Sequence, residues 1–207
     1  NGSGKTNLLE AMHLLSVGRS HRTARDAELV REAQQSAAVA LTLQTRGGTR
    51  AITCRLTAGE RKKLIIDGTA LTRSGELLGC LNVVMFAPED LLLVKGGPGE
   101  RRRFLDMEIS QLRPAYYYTL QQYNAALKQR NALLKDEACL AAGLLEPWDE
   151  QLSRLGAAIT AERAEFLAQL AHLAAAEHLR LSGGGETLLV SYQPVSYTHL
   201  RAHETAA

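Results

Sequence analysis

Apolar positions set the first rhythm of the chain: Leu8, Leu9, Met12 and Leu15 recur at helical spacing. This predicts a helix from Lys5 to about Val17, with Gly18 as its stop. Residues 36–68 change to strict alternation, as SAAVALTLQT, RGG, TRAITCRLTA, GER and KKLIIDG. Three alternating segments joined by short Gly-containing turns predict an antiparallel meander. LNVVMFAP at 81–88 is a continuous apolar run ended by proline, which predicts a buried strand. From about Asp90 to Arg180 the pattern is almost wholly helical, and Pro98, Pro114 and Pro147 each fall near an expected helix start, where a missing N–H costs least. SGGGE at 182–186 breaks the last helix, and LLVSYQP then predicts a strand returning to the first part of the chain. The expected layout is a sheet-containing lobe over 1–88, a helical lobe over 89–182 and the start of a return over 183–194.

Composition narrows the classes. With 207 residues, 45% hydrophobic and 22% charged, the chain can bury a core and hold one or two domains. No apolar run approaches a membrane span, so no membrane partner is expected. The absence of an initiator methionine and signal peptide suggests a chain that has lost its true start. Cys54, Cys80 and Cys139 lie far apart without C-x-x-C spacing, which suits a reducing cytoplasm and argues against a disulfide framework or a zinc knuckle. A net charge of +2 is too small to announce a nucleic-acid partner, so any such reading must rest on local clusters.

The last residues, VSYTHLRAHETAA, place His199 and His203 as H-x-x-x-H. That spacing invites a metal reading. One frame of a transposase-type sequencing adapter translates to VSYTHLRAHET, however, so residues 195–207 are expected to be no part of the evolved protein and carry no site.

At the other end stands NGSGKT. A phosphate loop reads G-x-x-x-x-G-K-[ST]; Gly4, Lys5 and Thr6 supply its end, while its first glycine would fall two positions before Asn1. Gly2 and Gly4 allow turns open mainly to glycine, so that successive N–H groups from Asn1 through Ser3 can point at phosphate oxygens. Lys5 would place a cation at the outer phosphates, Thr6 a hydroxyl on Mg²⁺, and the following helix its positive N-terminal end. The alternative is a Gly/Ser turn that happens to precede a helix. Nucleotide binding is the preferred reading.

FAPEDLLLVKGGPGERRRFLDMEI, at 86–109, is more specific. It runs from Pro-acidic through an apolar helix and Gly-Gly-Pro to Arg101-Arg102-Arg103-Phe104-Leu105-Asp106, and it resembles the signature of the RecF family of bacterial recombination mediator ATPases. SVGRSHRTARDAELV, NVVMFAPEDL, LKQRNALL at 127–134 and EPWDEQL at 146–152 are similar to segments of that family in the right order, and the resemblance covers residues 1–194. It implies an α/β fold, a partial P-loop NTPase of the ABC/SMC head type with antiparallel strands and an inserted α-helical domain. It also implies ATP and Mg²⁺ as ligands, an ATP-dependent homodimer, weak ATP hydrolysis, and binding to single-stranded and gapped duplex DNA. Action with RecO and RecR to bring RecA onto gapped DNA follows from the same resemblance. Against the family pattern the chain lacks the first strand, the first phosphate-loop glycine, the signature motif, the Walker B carboxylates and the D-loop. No catalytic residue is therefore assigned, and the chain alone is expected to be inactive, because phosphoryl transfer needs Mg²⁺ and an aligned water as well as the phosphate clamp.

The remaining candidates are cations. Related heads imply that Arg22, in the run Arg19, His21, Arg22, Arg25, approaches nucleotide or DNA; a solvated loop charge is the alternative. Arg101, Arg102 and Arg103 would anchor the two lobes together, contact DNA phosphates, or stand solvated at a helix start, with the first preferred. Lys128 and Arg130, with Arg113, could extend a phosphate-tracking stripe, although a solvated charged face is favoured. Tyr116, Tyr117 and Tyr118 could stack on bases, but helix packing is preferred, with at most two rings facing one core. Another SMC-like repair head, a phosphate-loop kinase or transferase, and a DNA-binding scaffold with a vestigial loop are the competing readings.

Overall fold

The computed structural model describes residues 4–23, 25–135 and 143–194. The first helix, α1, spans Lys5–Val17. It ends as expected at Gly18, whose φ of 73° is left-handed and whose N–H returns to the Leu14 carbonyl at 2.9 Å. The apolar spacing buries only part of α1: Leu14 and Leu15 enter the core, whereas Leu8 and Leu9 are 64% and 51% exposed.

The meander forms. Strands β1 (Ser36–Thr45), β2 (Gly48–Thr57), β3 (Lys63–Ile66) and β4 (Thr69–Ala70) make an antiparallel sheet in sequence order. Ala37, Val39 and Leu41 pair with Leu56, Cys54 and Ile52, so alternate positions share one face. On that face Ile52, Cys54, Leu56, Leu64 and Ile66 pack with Leu14, Leu15 and Leu77 as the buried cluster. The turn between β3 and β4 is Asp67-Gly68, both with positive φ (50° and 83°), the geometry of a two-residue hairpin.

Two expected strands are absent from the described residues. The run at 81–87 belongs to no sheet, and Val84 and Phe86 are 92% and 86% exposed. Its backbone is held by a side chain instead: the Val83 N–H donates to Gln111 Oε1 at 2.9 Å, and Gln111 Nε2 donates to the Val83 carbonyl at 3.3 Å. The apolar run predicted a buried strand, and hydrophobicity alone could not show that no neighbouring strand takes it up. Residues 186–194 likewise form no strand, and Leu189 is 89% exposed.

The helices begin where the prolines stand. After a 3₁₀ turn at Pro88–Leu91 come α2 (Leu92–Lys95), α3 (Pro98–Leu112), α4 (Pro114–Leu133) and α5 (Glu146–Leu181). Pro98 and Pro114 open their helices and Pro147 is the second residue of α5, so no ladder bond is lost.

Two compact units divide the chain, Asn1–Pro114 and Ala115–Ala207. The first contains the sheet, α1 and α3, so the helices of 88–112 belong with the sheet. In the second unit Tyr116 meets Arg163, Tyr123 meets Gly156 and Arg130 meets Asp149. Each step is seven residues forward along α4 and seven back along α5, the spacing that keeps one seam of an antiparallel helix pair in register.

Candidate nucleotide-binding site

Asn1, Gly2 and Ser3 lie outside the described residues, so the site is built from its second half. Gly4 caps α1 with φ of 78°, left-handed, and a Cβ there would meet nothing within 4 Å. Only glycine takes that turn without strain, and the open space leaves the backbone approachable. The first helical bond runs from the Leu8 N–H to the Gly4 carbonyl at 3.0 Å, so the amides of Lys5, Thr6 and Asn7 precede the ladder. Among the described residues no side chain caps them, and the first turn carries no acidic residue. Lys5 and Thr6 are both exposed. A helix end with a lysine and a hydroxyl beside it, and no acidic residue in its first turn, presents donors and positive charge, which fits a polyphosphate.

Arg22 is tied to the same helix. Its Nη1 donates to Glu10 Oε2 at 3.2 Å, while the Ser20 hydroxyl donates to the other oxygen, Oε1. Ser20 Oγ in turn accepts the N–H of Arg22 at 3.0 Å and of Thr23 at 3.2 Å, folding residues 20–23 around one buried hydroxyl. Thr23 repeats the device: its hydroxyl donates to Glu28 at 2.6 Å and accepts the Arg25 N–H at 3.0 Å. Behind this loop His13, buried, has Nδ1 at 3.0 Å from the Arg19 carbonyl and stands edge-on to His21 with ring centroids 5.4 Å apart. Burial holds the His13 imidazole below its ordinary pKa; the Arg19 carbonyl opposes this, and His21, Arg19 and Arg103 add to it. Glu10, Ser20 and His13 were not among the candidates. The available signal was positional: Glu10 lies four residues after Thr6, on the same side of the helix.

The other cations separate. Arg101 Nη1 donates to the Leu93 and Gly96 carbonyls at 3.0 and 3.1 Å, satisfying the end of α2 within its own unit. Arg102 and Arg103 are exposed on the first turns of α3. Arg130 is ion-paired with Asp149, whereas Lys128 is exposed. The three tyrosines also differ: Tyr116 is buried and its hydroxyl accepts from Arg163 Nε at 3.1 Å, while Tyr117 and Tyr118 are half-buried and meet edge to face. Among the described residues no group of three or more His, Cys, Asp and Glu side chains could hold a metal ion. His199 and His203 lie outside them. No helix of the described residues is long and apolar enough to cross a membrane.

Known proteins are similar to this chain in sequence and fold. The DNA replication and repair protein RecF of Acetivibrio thermocellus is 41% identical over 196 residues, which is 94% of this chain and 53% of that protein. Its counterpart from Halothermothrix orenii is 46% identical over 199 residues, 93% of this chain and 52% of that protein. The solved structure of the recombination mediator protein RecF with ATP, from the RecFOR pathway, superimposes with a TM-score of 0.82 at 34% identity, over 88% of this chain and 50% of that one. No family model matches. The chain spans about half the length of the curated relatives it matches. Across that half, sequence and fold agree with RecF proteins, an α/β head of the phosphate-loop ATPase type, and the chain belongs to the RecF family.

Proposed function

We propose that this chain supplies the phosphate-gripping part of an ATP-timed, DNA-binding recombination mediator. The observation that carries the reading is the start of α1, with Gly4 left-handed and Lys5 and Thr6 exposed, in a chain that belongs to the RecF family. The residues that would hold ATP are the backbone of Gly2, Ser3 and Gly4 with Lys5 and Thr6, and Thr6 would offer its hydroxyl to Mg²⁺. Bound ATP would supply a hydrolysable phosphoanhydride and a cluster of negative charge that a second copy of the head can share. Lys5 neutralises the outer phosphates without distorting the helix, because its side chain leaves the first turn toward solvent. Arg22, half exposed and bonded to Glu10 through a single nitrogen, keeps donors for a phosphate oxygen.

The partners follow from the same family membership. DNA, single-stranded or gapped duplex, would be held by phosphate contacts, with Arg102, Arg103 and Lys128 the exposed cations among the candidates. Arg101 and Arg130 are already committed to a helix end and a carboxylate, which makes them supports rather than DNA contacts. An ATP-dependent homodimer acting with RecO and RecR to load RecA, in the cytoplasm, completes the reading.

The test is DNA-binding anisotropy on the chain extended to the full length of its relatives, using a gapped duplex with and without ATP. Binding should require ATP and fall steeply with salt, and Lys128→Ala should reduce the salt slope by about one phosphate contact. Tight, ATP-independent, sequence-specific binding would defeat the reading and favour a DNA-binding scaffold.

A further inference from the structure

Glu10 is the only carboxylate bonded to the loop's Ser20–Arg22 turn among the described residues, and both its oxygens are used there. Its side chain is 12% exposed and Ser20 is 3% exposed, so the joint is shielded while the guanidinium it holds is half in solvent. The joint connects two parts of the molecule with separate local frames. One is α1, whose first turn carries Lys5 and Thr6; the other is the loop after Gly18, whose course reverses toward the helix.

From this the geometry points to Glu10 as a positioning residue: through its carboxylate it fixes Arg22 to the helix that carries the phosphate-binding turn, so that an ATP phosphate meets Lys5 and Arg22 together. This rests on the reading of α1 as an ATP site. Three observations support it. Glu10 stands one helical turn beyond Thr6 on the same side, so α1 itself sets the spacing between the two parts of the site. The pair uses one of the five N–H donors of Arg22, leaving others for a ligand. The Arg22 backbone N–H donates to the Ser20 hydroxyl and its guanidinium to Glu10 Oε2, so the position of the main chain and the direction of the side chain are set by different acceptors.

That division makes the role separable from folding. In Glu10→Gln the amide oxygen can still accept from Ser20, but the amide nitrogen cannot accept from Arg22. The turn survives and the guanidinium is released.

The experiment is a calorimetric titration of MgATP into the 207-residue chain, as wild type, Glu10→Gln, Arg22→Ala and the double variant, with melting temperature recorded for each. Glu10→Gln should weaken ATP binding by about three- to tenfold at an unchanged melting temperature, and the same change in the Arg22→Ala background should cost nothing further. Equal losses in both backgrounds would make Glu10 a structural residue and overturn the positioning role. Unchanged affinity would overturn it too, and tighter ATP binding by Glu10→Gln would show that Glu10 competes with the nucleotide for Arg22. If wild type itself takes up no MgATP, the ATP-site reading fails, and the role assigned to Glu10 fails with it; binding by wild type with no coupling between the two residues defeats the role alone.

Discussion

His13 shows how much a single buried side chain can report. It sits on α1 with its ring against His21 and its Nδ1 at the Arg19 carbonyl, and burial keeps its pKa below the ordinary 6.5. As pH falls below that value the unfolded chain takes up a proton that the folded chain still refuses, so this residue's contribution is fully favourable above about 6.5 and is lost on acidification. Glu108 works in the opposite direction. Burial, and secondarily Asp90, hold its carboxyl above the usual 4.5, so its contribution is lost as pH rises. The two partly cancel in the whole chain, and the comparison of variants isolates the first: His13→Gln should flatten the fall in melting temperature between about pH 7.5 and 5.5. An identical slope in the variant would show that burial does not hold the His13 imidazole down in the native state. Asp67 belongs to the same scale. Its carboxylate accepts the Ala51 N–H at 2.7 Å and the Arg50 Nε at 3.0 Å, which hold its pKa below the usual range and pin the one tight turn of the sheet that uses a left-handed non-glycine residue.

At the level of elements, two glycines with different jobs give opposite predictions. Gly18 ends α1 in the left-handed region, while a Cβ there would meet Leu77 and Leu64 only at ordinary distances of 3.5 and 3.7 Å. The penalty of Gly18→Ala is therefore conformational, about 1–2 kcal/mol of lost stability. Gly156 lies inside α5, where a Cβ would stand 3.4 Å from the half-buried Tyr123 ring. The ring can give by that margin, so Gly156→Ala should stabilise by roughly 0.5–1 kcal/mol through helix propensity. Chemical denaturation of both variants checks the pair, and a stabilising Gly18→Ala would mean that α1 does not end there. What was legible in the sequence follows the same division. Helix starts at proline, the Gly18 stop and the alternation of β1–β3 are local, and all were readable. The run at 81–87 was not, because whether an apolar segment becomes a strand depends on a partner far along the chain, and here that partner is the Gln111 amide. Three consecutive arginines look equivalent in sequence for the same reason; only packing shows Arg101 turned onto the end of α2.

Over the whole molecule, the sheet-bearing unit contains the Gly4 turn proposed to grip phosphate, the Arg22 loop and the arginines of α3, while the helical unit contributes its own internal seam. The identity of the family was carried by motif order, which sequence preserves well. How the site is held together was not visible, since Glu10, Ser20 and Arg22 converge only once the loop after Gly18 folds back on α1. The central claim is that Lys5 and the start of α1 grip ATP and that ATP joins two heads. Sedimentation velocity on the chain extended to the length of its relatives, with and without MgATP, tests this most directly. Wild type should shift from monomer to dimer when ATP is added and Lys5→Ala should remain monomeric, because the outer phosphates lose their cationic partner; ATP-driven dimers undiminished in Lys5→Ala would contradict the account.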